Sequence, residues 1–147
     1  MNDYTFRQTT ADDLDEVTAL LVAEKMLYVD IAEHLKQGNF IVCVKNEEIM
    51  GCVGLEICEL YGLCRSFCVK RCFKKQRVAH LLFQKILAFA RSKQLHSLYL
   101  LTFLKTQYFE LHGFQVISRQ EAPNCIQKTL QFNGLCPYSD VCMRLIL

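Results

Sequence analysis

The sequence predicts an α+β domain, with a central mixed and mostly antiparallel sheet of about seven strands flanked by helices. Three observations predict it. Short apolar or alternating runs of strand length occur near both ends of the chain. Between residues 40 and 69 three such runs follow one another through turns too short to hold a crossover helix, so they pair antiparallel. From residue 78 a long amphipathic pattern leads into a buried run at 97–102, as in a helix that crosses over to a parallel strand.

Each element has its own reason. Tyr4 to Thr9 alternates and reads as an edge strand. Thr10 is a helix N-cap with Asp13 in the first turn, and Leu14, Val17, Leu20 and Leu21 trace one face of a helix from Ala11 to Lys25. Asp30 caps a second helix, Ile31 to Gln37, which Gly38 ends. FIVCVK at 40–45 is a strand, Asn46-Glu47-Glu48 a hairpin turn, and Ile49 to Leu60 a long strand with Gly51 and Gly54 inside it. Gly62 turns the chain into the strand Leu63 to Val69. Val78, Leu81, Leu82, Lys85, Ile86, Phe89 and Ala90 mark a helix from Val78 to Gln94, with Lys85 snorkelling. SLYLLT at 97–102 is a buried strand, Lys105 to His112 a short helix ended by Gly113, and Phe114 to Ser118 a strand. A connector follows with a short helix around Asn124–Gln131, and Val141 to Leu147 is the last strand.

Composition narrows the function. A chain of 147 residues suits one domain, 1–147, with a full core. With 52% hydrophobic and 22% charged residues it is neither disordered nor a membrane bundle. A net charge of +2 argues against a nucleic-acid partner, and the basic cluster from Arg65 to Arg77 suits one small anion better than a polymer. No apolar run is long enough to span a bilayer, so no membrane partner is expected. The polar, acidic start does not read as a signal peptide, which leads to an expected cytoplasmic location. A reducing compartment disfavours disulfides among the nine cysteines, and no C-x-x-C pair or zinc-like Cys/His spacing occurs, so no metal site is expected. Cys64, Cys68 and Cys72 recur every four residues, as on a helical metal face, but cysteines in strand-like runs also read as small buried hydrophobes.

Cys64 to Leu82 (CRSFCVKRCFKKQRVAHLL) organises the rest. A strand passes through a basic turn into a helix whose first N–H groups lack intrahelical partners and carry the positive end of the dipole, which makes an anion site. Arg71, Lys74, Lys75 and Arg77 surround it with positive charge.

Residues 74–79, KKQRVA, align with the Arg/Gln-x-x-Gly-x-Gly/Ala motif that follows the fourth strand of the GNAT acyltransferases; Arg77 replaces the first glycine and Ala79 matches the last position. TQYFELHGF at 106–114 is similar to the family's next signature, and the whole element order is the GNAT order. GCVGLE, LCRSFCV, LYLLT and the run EAPNCIQKTLQFNGLCPYSDVCM resemble the arsenic-resistance-associated N-acetyltransferase branch and the acetyltransferase domain of N-acetylglutamate synthases.

The resemblance implies a splayed fourth and fifth strand pair and an acetyl-CoA-dependent N-acetyltransferase. Its acceptor would be a small, amino-acid-like amine, and transfer would be direct. It assigns cofactor binding to Phe67, Cys68, Val69, Lys74, Lys75, Gln76, Arg77, Val78, Ala79, His80, Thr102 and Phe109. Glu56, a carboxylate inside an apolar strand, either faces water, pairs with a cation, or acts as the base. Arg65 on the next strand either pairs with Glu56 or binds a substrate carboxylate. Phe109 stands where many GNATs have a tyrosine acid, so Tyr108, one step away, is either the catalytic acid or a core aromatic. Thr102 and Cys136 are substrate-contact candidates. The alternative is a degenerate GNAT-fold binding module with weak or no catalysis, motivated by Arg77 and Phe109. The exposed last strand offers an edge for a homodimer.

Overall fold

The computed structural model describes residues 4–73, 77–103, 105–135 and 140–147, with Leu135 described by its backbone only. Its strands are β1 (Thr5–Gln8), β2 (Phe40–Lys45), β3 (Glu48–Cys58), β4 (Tyr61–Val69), β5 (Ser97–Thr102), β6 (Gln115–Ile117) and β7 (Val141–Ile146). Its helices are α1 (Leu14–Ala23), α2 (Ile31–Lys36), α3 (Val78–Ser92), α4 (Thr106–Glu110) and α5 (Asn124–Gln127). The strands hydrogen-bond in the order β1-β2-β3-β4-β5-β7-β6, with β4 and β5 parallel. The expected α+β class and the mixed, mostly antiparallel sheet are therefore what the chain forms. By contact the residues group into two compact units, Met1–Leu55 with Ser66–Ala90, and Glu56–Arg65 with Arg91–Leu147.

In the first unit, β1 and β2 pair antiparallel from Thr5↔Val44 to Gln8↔Ile41, and β2 meets β3 through a hairpin. Asn46 and Glu47 both take left-handed φ, 51° and 63°, which matches the twist that a two-residue hairpin needs. Thr10 forms a capping box with Asp13: the Asp13 carboxylate accepts the Thr10 N–H at 2.8 Å, and the Thr10 hydroxyl accepts from Asp12 N at 3.3 Å. A turn of 3-10 helix, Ala11–Asp13, leads into α1, whose Val17, Leu20 and Leu21 are buried with Ile31 and Leu35 of α2 against Phe40, Val42 and Ile49. Burying each such side chain stabilises the fold by about 1.5–3 kcal/mol. Asp30 makes no side-chain cap bond to α2, contrary to expectation; its φ of −114° and ψ of 13° lie outside the extended region an N-cap normally takes. In α3 the buried stripe is Val78, Leu82, Phe83, Ile86, Leu87 and Ala90, and Lys85 reaches over the Phe6 ring at 5.6 Å.

Asp13 also holds Arg7 through two bonds, Nη1 to Oδ2 at 2.8 Å and Nη2 to Oδ1 at 2.9 Å. The Arg7 bonds outweigh burial and hold the Asp13 carboxyl below its usual value. A carboxylate with a depressed native pKa stabilises the fold fully above the ordinary aspartate value. That contribution fades as pH falls through the lower native value. Asp13→Asn should therefore cost about 1 kcal/mol at neutral pH, with the gap to wild type closing in acid. Urea titrations across pH check this, and a gap that widens in acid would refute the assignment.

In the second unit the parallel ladder between β4 and β5 has only the pairs Tyr61↔Ser97, Gly62↔Leu98 and Leu63↔Tyr99. It stops there although β4 continues to Val69 and β5 to Thr102. β7 pairs antiparallel with all six residues of β5, Ser97↔Ile146 to Thr102↔Val141, and with β6 on its other side, so the last strand is not the exposed edge expected from the sequence. Leu63, Tyr99, Ala122, Ile126, Phe132 and Cys142 form this unit's core. Gly62 was expected to turn the chain, but it lies within β4. The turn falls at Glu59, which takes φ 54° while Gly62 pairs with Leu98.

For the cysteines, the strand reading of Cys64 and Cys68 holds and the expectation of no disulfide is corrected. Cys64 and Cys68 lie in β4 and Cys72 in a 3-10 turn (Arg71–Phe73), so their spacing of four makes no helical face. Cys58 and Cys125 form a disulfide with Cα atoms 6.1 Å apart, where no disulfide was expected. The two lie 67 residues apart in sequence, and nothing local announces that β3 ends beside α5.

Candidate active site

The first unit supplies a strand end and a helix start. β4 is kinked at Ser66, which takes φ 55°, and Phe67 beyond it stacks obliquely on Phe83 of α3, centroids 5.4 Å apart. Cys68 and Val69 are buried. Gly51 of β3 makes room for them: a Cβ there would lie 3.0 Å from the Cys68 carbonyl oxygen and 3.1 Å from Val69 Cγ2. Lys70 N then donates to Met50 O at 2.8 Å. Lys74, Lys75 and Gln76 lie outside the described residues.

Arg77 is exposed, has φ 61°, and its carbonyl accepts the first helical bond, from Leu81 N at 3.1 Å. The backbone thus follows the left-handed path usually left to glycine, with the side chain turned to solvent. Val78 is fully buried and anchors α3, while Ala79 and His80 are half-buried. The amides of Val78 and Ala79 belong to the first turn, which has no intrahelical acceptor for them.

The second unit brings together Glu56 and Arg65. Arg65 Nη1 donates to Glu56 Oε1 at 3.1 Å. The Arg65 side chain is fully buried and that of Glu56 is 19% exposed, so the carboxylate is the end of the pair that meets solvent. Neighbouring strands β3 and β4 carry the two. Thr102 ends β5 half-buried, opposite Val141. On α4, Phe109 is buried, edge-on to Tyr108 (5.3 Å, 88°) and to Phe114 (6.0 Å, 66°), and the Tyr108 ring tilts against His112 at 5.0 Å. Burial pushes the Tyr108 phenol above its usual pKa. Cys136 lies outside the described residues.

Residues 7–114 match the model of the acetyltransferase (GNAT) family. The chain belongs to that family. As a GNAT acetyltransferase its fold aligns over 100% of its length, at TM-score 0.83 and 20% identity, with N-acetylglutamate synthase from Neisseria gonorrhoeae, solved with coenzyme A and N-acetyl-glutamate. It spans only 36% of that larger chain. It aligns over 97% of its length, at TM-score 0.79 and 20% identity, with a Mycobacterium tuberculosis protein solved with CoA, covering 99% of that chain. A GNAT-family acetyltransferase from Staphylococcus aureus aligns at TM-score 0.78 and 17% identity, over 98% of this chain and 99% of its own. No curated protein matches by sequence. Among the described residues, no helix of this GNAT chain is long and apolar enough to cross a membrane.

The kink at Ser66 was not foreseen from the sequence. Serine is not a residue that marks left-handed backbone, so composition carried no signal for it.

Proposed function

We propose that this chain is an acetyl-CoA-dependent N-acetyltransferase that acts on a small, amino-acid-like amine by direct transfer. The observation that carries the reading is the Glu56–Arg65 pair: a fully buried guanidinium and a partly exposed carboxylate, 3.1 Å apart. Buried Arg65 holds the Glu56 carboxylate in place, and that carboxylate suits a substrate ammonium and takes its proton, which leaves the neutral amine free to attack.

Cofactor binding is supported by backbone geometry more than by side chains. The left-handed φ of Arg77 and the first-turn amides of Val78 and Ala79 suit a diphosphate at the positive end of α3. In this reading Lys74, Lys75, Gln76 and His80 add cationic or polar contacts, and the β4 backbone at Phe67, Cys68 and Val69 pairs with the pantetheine amides. Acetyl-CoA supplies the activated thioester when bound. Glu56 holds and then accepts the amine's proton. Tyr108 donates to the departing sulfur. Thr102, Phe109 and Cys136 contact the ligands.

Calorimetry with acetyl-CoA tests the first half of the reading, and its failure to bind at millimolar concentration would end it. Arg65→Met tests the second: with the Glu56 carboxylate no longer held, kcat/KM for an amino-acid-like amine should fall tenfold or more.

The rival reading, a GNAT-fold binding module with little or no catalysis, is favoured by one observation: Arg77 stands at a left-handed position where the family motif has glycine. Arg77→Gly separates the two. Relief of the left-handed strain should raise stability by roughly 0.5–1 kcal/mol. On the enzyme reading acetyl-CoA affinity falls a few-fold, because a cation near the diphosphate is lost. A rise in affinity would show that Arg77 obstructs the site and would favour the module.

A further inference from the structure

The Cys58–Cys125 pair differs from the other described cysteines. Cys43, Cys52, Cys64, Cys68 and Cys142 are buried as free thiols. Burial raises Cys64 to about 12 and Cys43 and Cys142 to about 11, so they stay protonated and inert. Cys52 and Cys68 face each other with sulfurs 4.0 Å apart inside the first unit's core, out of reach of a solution oxidant. Cys72 is exposed and, among the described residues, a free thiol. Cys58 and Cys125 alone combine partial solvent exposure with a partner at bonding geometry.

Their placement gives the bond a mechanical role. Cys58 is the last residue of β3, two positions beyond Glu56, and Cys125 lies in α5. α5 is only four residues long, too short to be stable by itself, and belongs to the connector from Ser118 that covers this unit's core through Ala122, Ile126 and Phe132. The reduced state has local support as well, because Cys125 Sγ lies 3.4 Å from the Cys58 carbonyl oxygen, which can accept a thiol hydrogen bond. Both states are thus compatible with the same backbone.

We propose that Cys58 and Cys125 form a reversible redox site: thiol–disulfide exchange with a low-molecular-weight disulfide locks the α5 connector onto the end of β3, and a dithiol releases it. The exchange balances. One thiolate attacks the small disulfide and expels one of its halves as a thiol, leaving a mixed disulfide on the protein. The second cysteine then attacks the protein sulfur of that mixed disulfide and expels the other half. The two protein hydrogens end on the two small thiols, and the chain closes a loop between positions 67 residues apart.

The inference does not depend on the acetyltransferase reading, and its test uses the intact protein without ligands. Samples reduced with dithiothreitol or oxidised with glutathione disulfide, in a Cys72→Ser background, are denatured, alkylated and mapped by mass spectrometry. The oxidised sample should show two fewer alkylatable thiols, with the linked peptide containing Cys58 and Cys125. Its Tm should lie roughly 10 °C above that of the reduced sample. Amide exchange at Ile126, Gln127, Lys128 and Thr129, whose N–H groups hold the α5 turn, should slow at least tenfold, while Glu24 at the end of α1 exchanges unchanged. Cys125→Ser, and separately Cys58→Ser, should abolish the Tm difference between the two samples. A linked peptide other than Cys58–Cys125, no loss of thiols, or equal Tm and equal α5 exchange in the two samples would overturn the proposal.

Discussion

Glu56→Ala is expected to lower stability by about 3 kcal/mol and kcat/KM by a hundredfold or more. The stability loss follows from burial. The Arg65 side chain is inaccessible to water, so removing the carboxylate takes away a charge partner that water cannot replace. The figure sits at the low end for a broken buried pair because Glu56 itself is 19% exposed. Glu56→Gln separates the two roles. It keeps an acceptor for Arg65 Nη1 and should recover more than half of the stability, but an amide cannot take the amine's proton, so the rate stays low. A double-mutant cycle with Arg65→Met, read by urea unfolding, should return a coupling of about 2 kcal/mol. Additive single effects would show that the contact has no energetic weight, and wild-type kcat/KM in Glu56→Gln would remove Glu56 from proton transfer.

Gly54→Ala should destabilise the fold by about 3 kcal/mol, the upper range for overpacking, and lower Tm by roughly 9 °C. Gly54 faces Phe40 across the β2–β3 ladder, and a Cβ on it would overlap three carbons of the Phe40 ring. The ring cannot yield easily: it is fully buried and stacks on His34 with centroids 6.4 Å apart. Phe40→Leu should itself be destabilising, yet it should cost much less in the Gly54→Ala background, because the smaller side chain vacates the overlap. Thermal melts of the four proteins check this. A cost under about 0.5 kcal/mol for Gly54→Ala would mean that the two strands separate freely there, contrary to the packing.

Several elements were legible because their causes are local. FIVCVK and SLYLLT are apolar runs of strand length and form β2 and β5 with the expected ends. Gly38 and Gly113 end helical segments at φ 76° and 95°, which side chains with a Cβ resist. The candidate site was legible only in part. Glu56 and Arg65 could be placed on neighbouring antiparallel strands, but the sequence left open whether they pair or face substrate, and the 3.1 Å contact depends on the register of β3 against β4. Cys64 and Cys68 lie on a strand, as their apolar run predicts, so their spacing of four does not place them on a helical face.

Periodicity, capping residues and turn glycines, read from the chain alone, determined the α+β class, the order of the elements and the start of α3 at Val78. Only the tertiary structure decided where the backbone would depart from residue preference: the left-handed Glu59, Ser66 and Arg77, the pairing of Gly62 inside β4, and the meeting of Cys58 with Cys125. The physical reason is one of scale. A local preference amounts to about 1–2 kcal/mol per residue, and a set of long-range ladder bonds and buried side chains outweighs it wherever the two disagree.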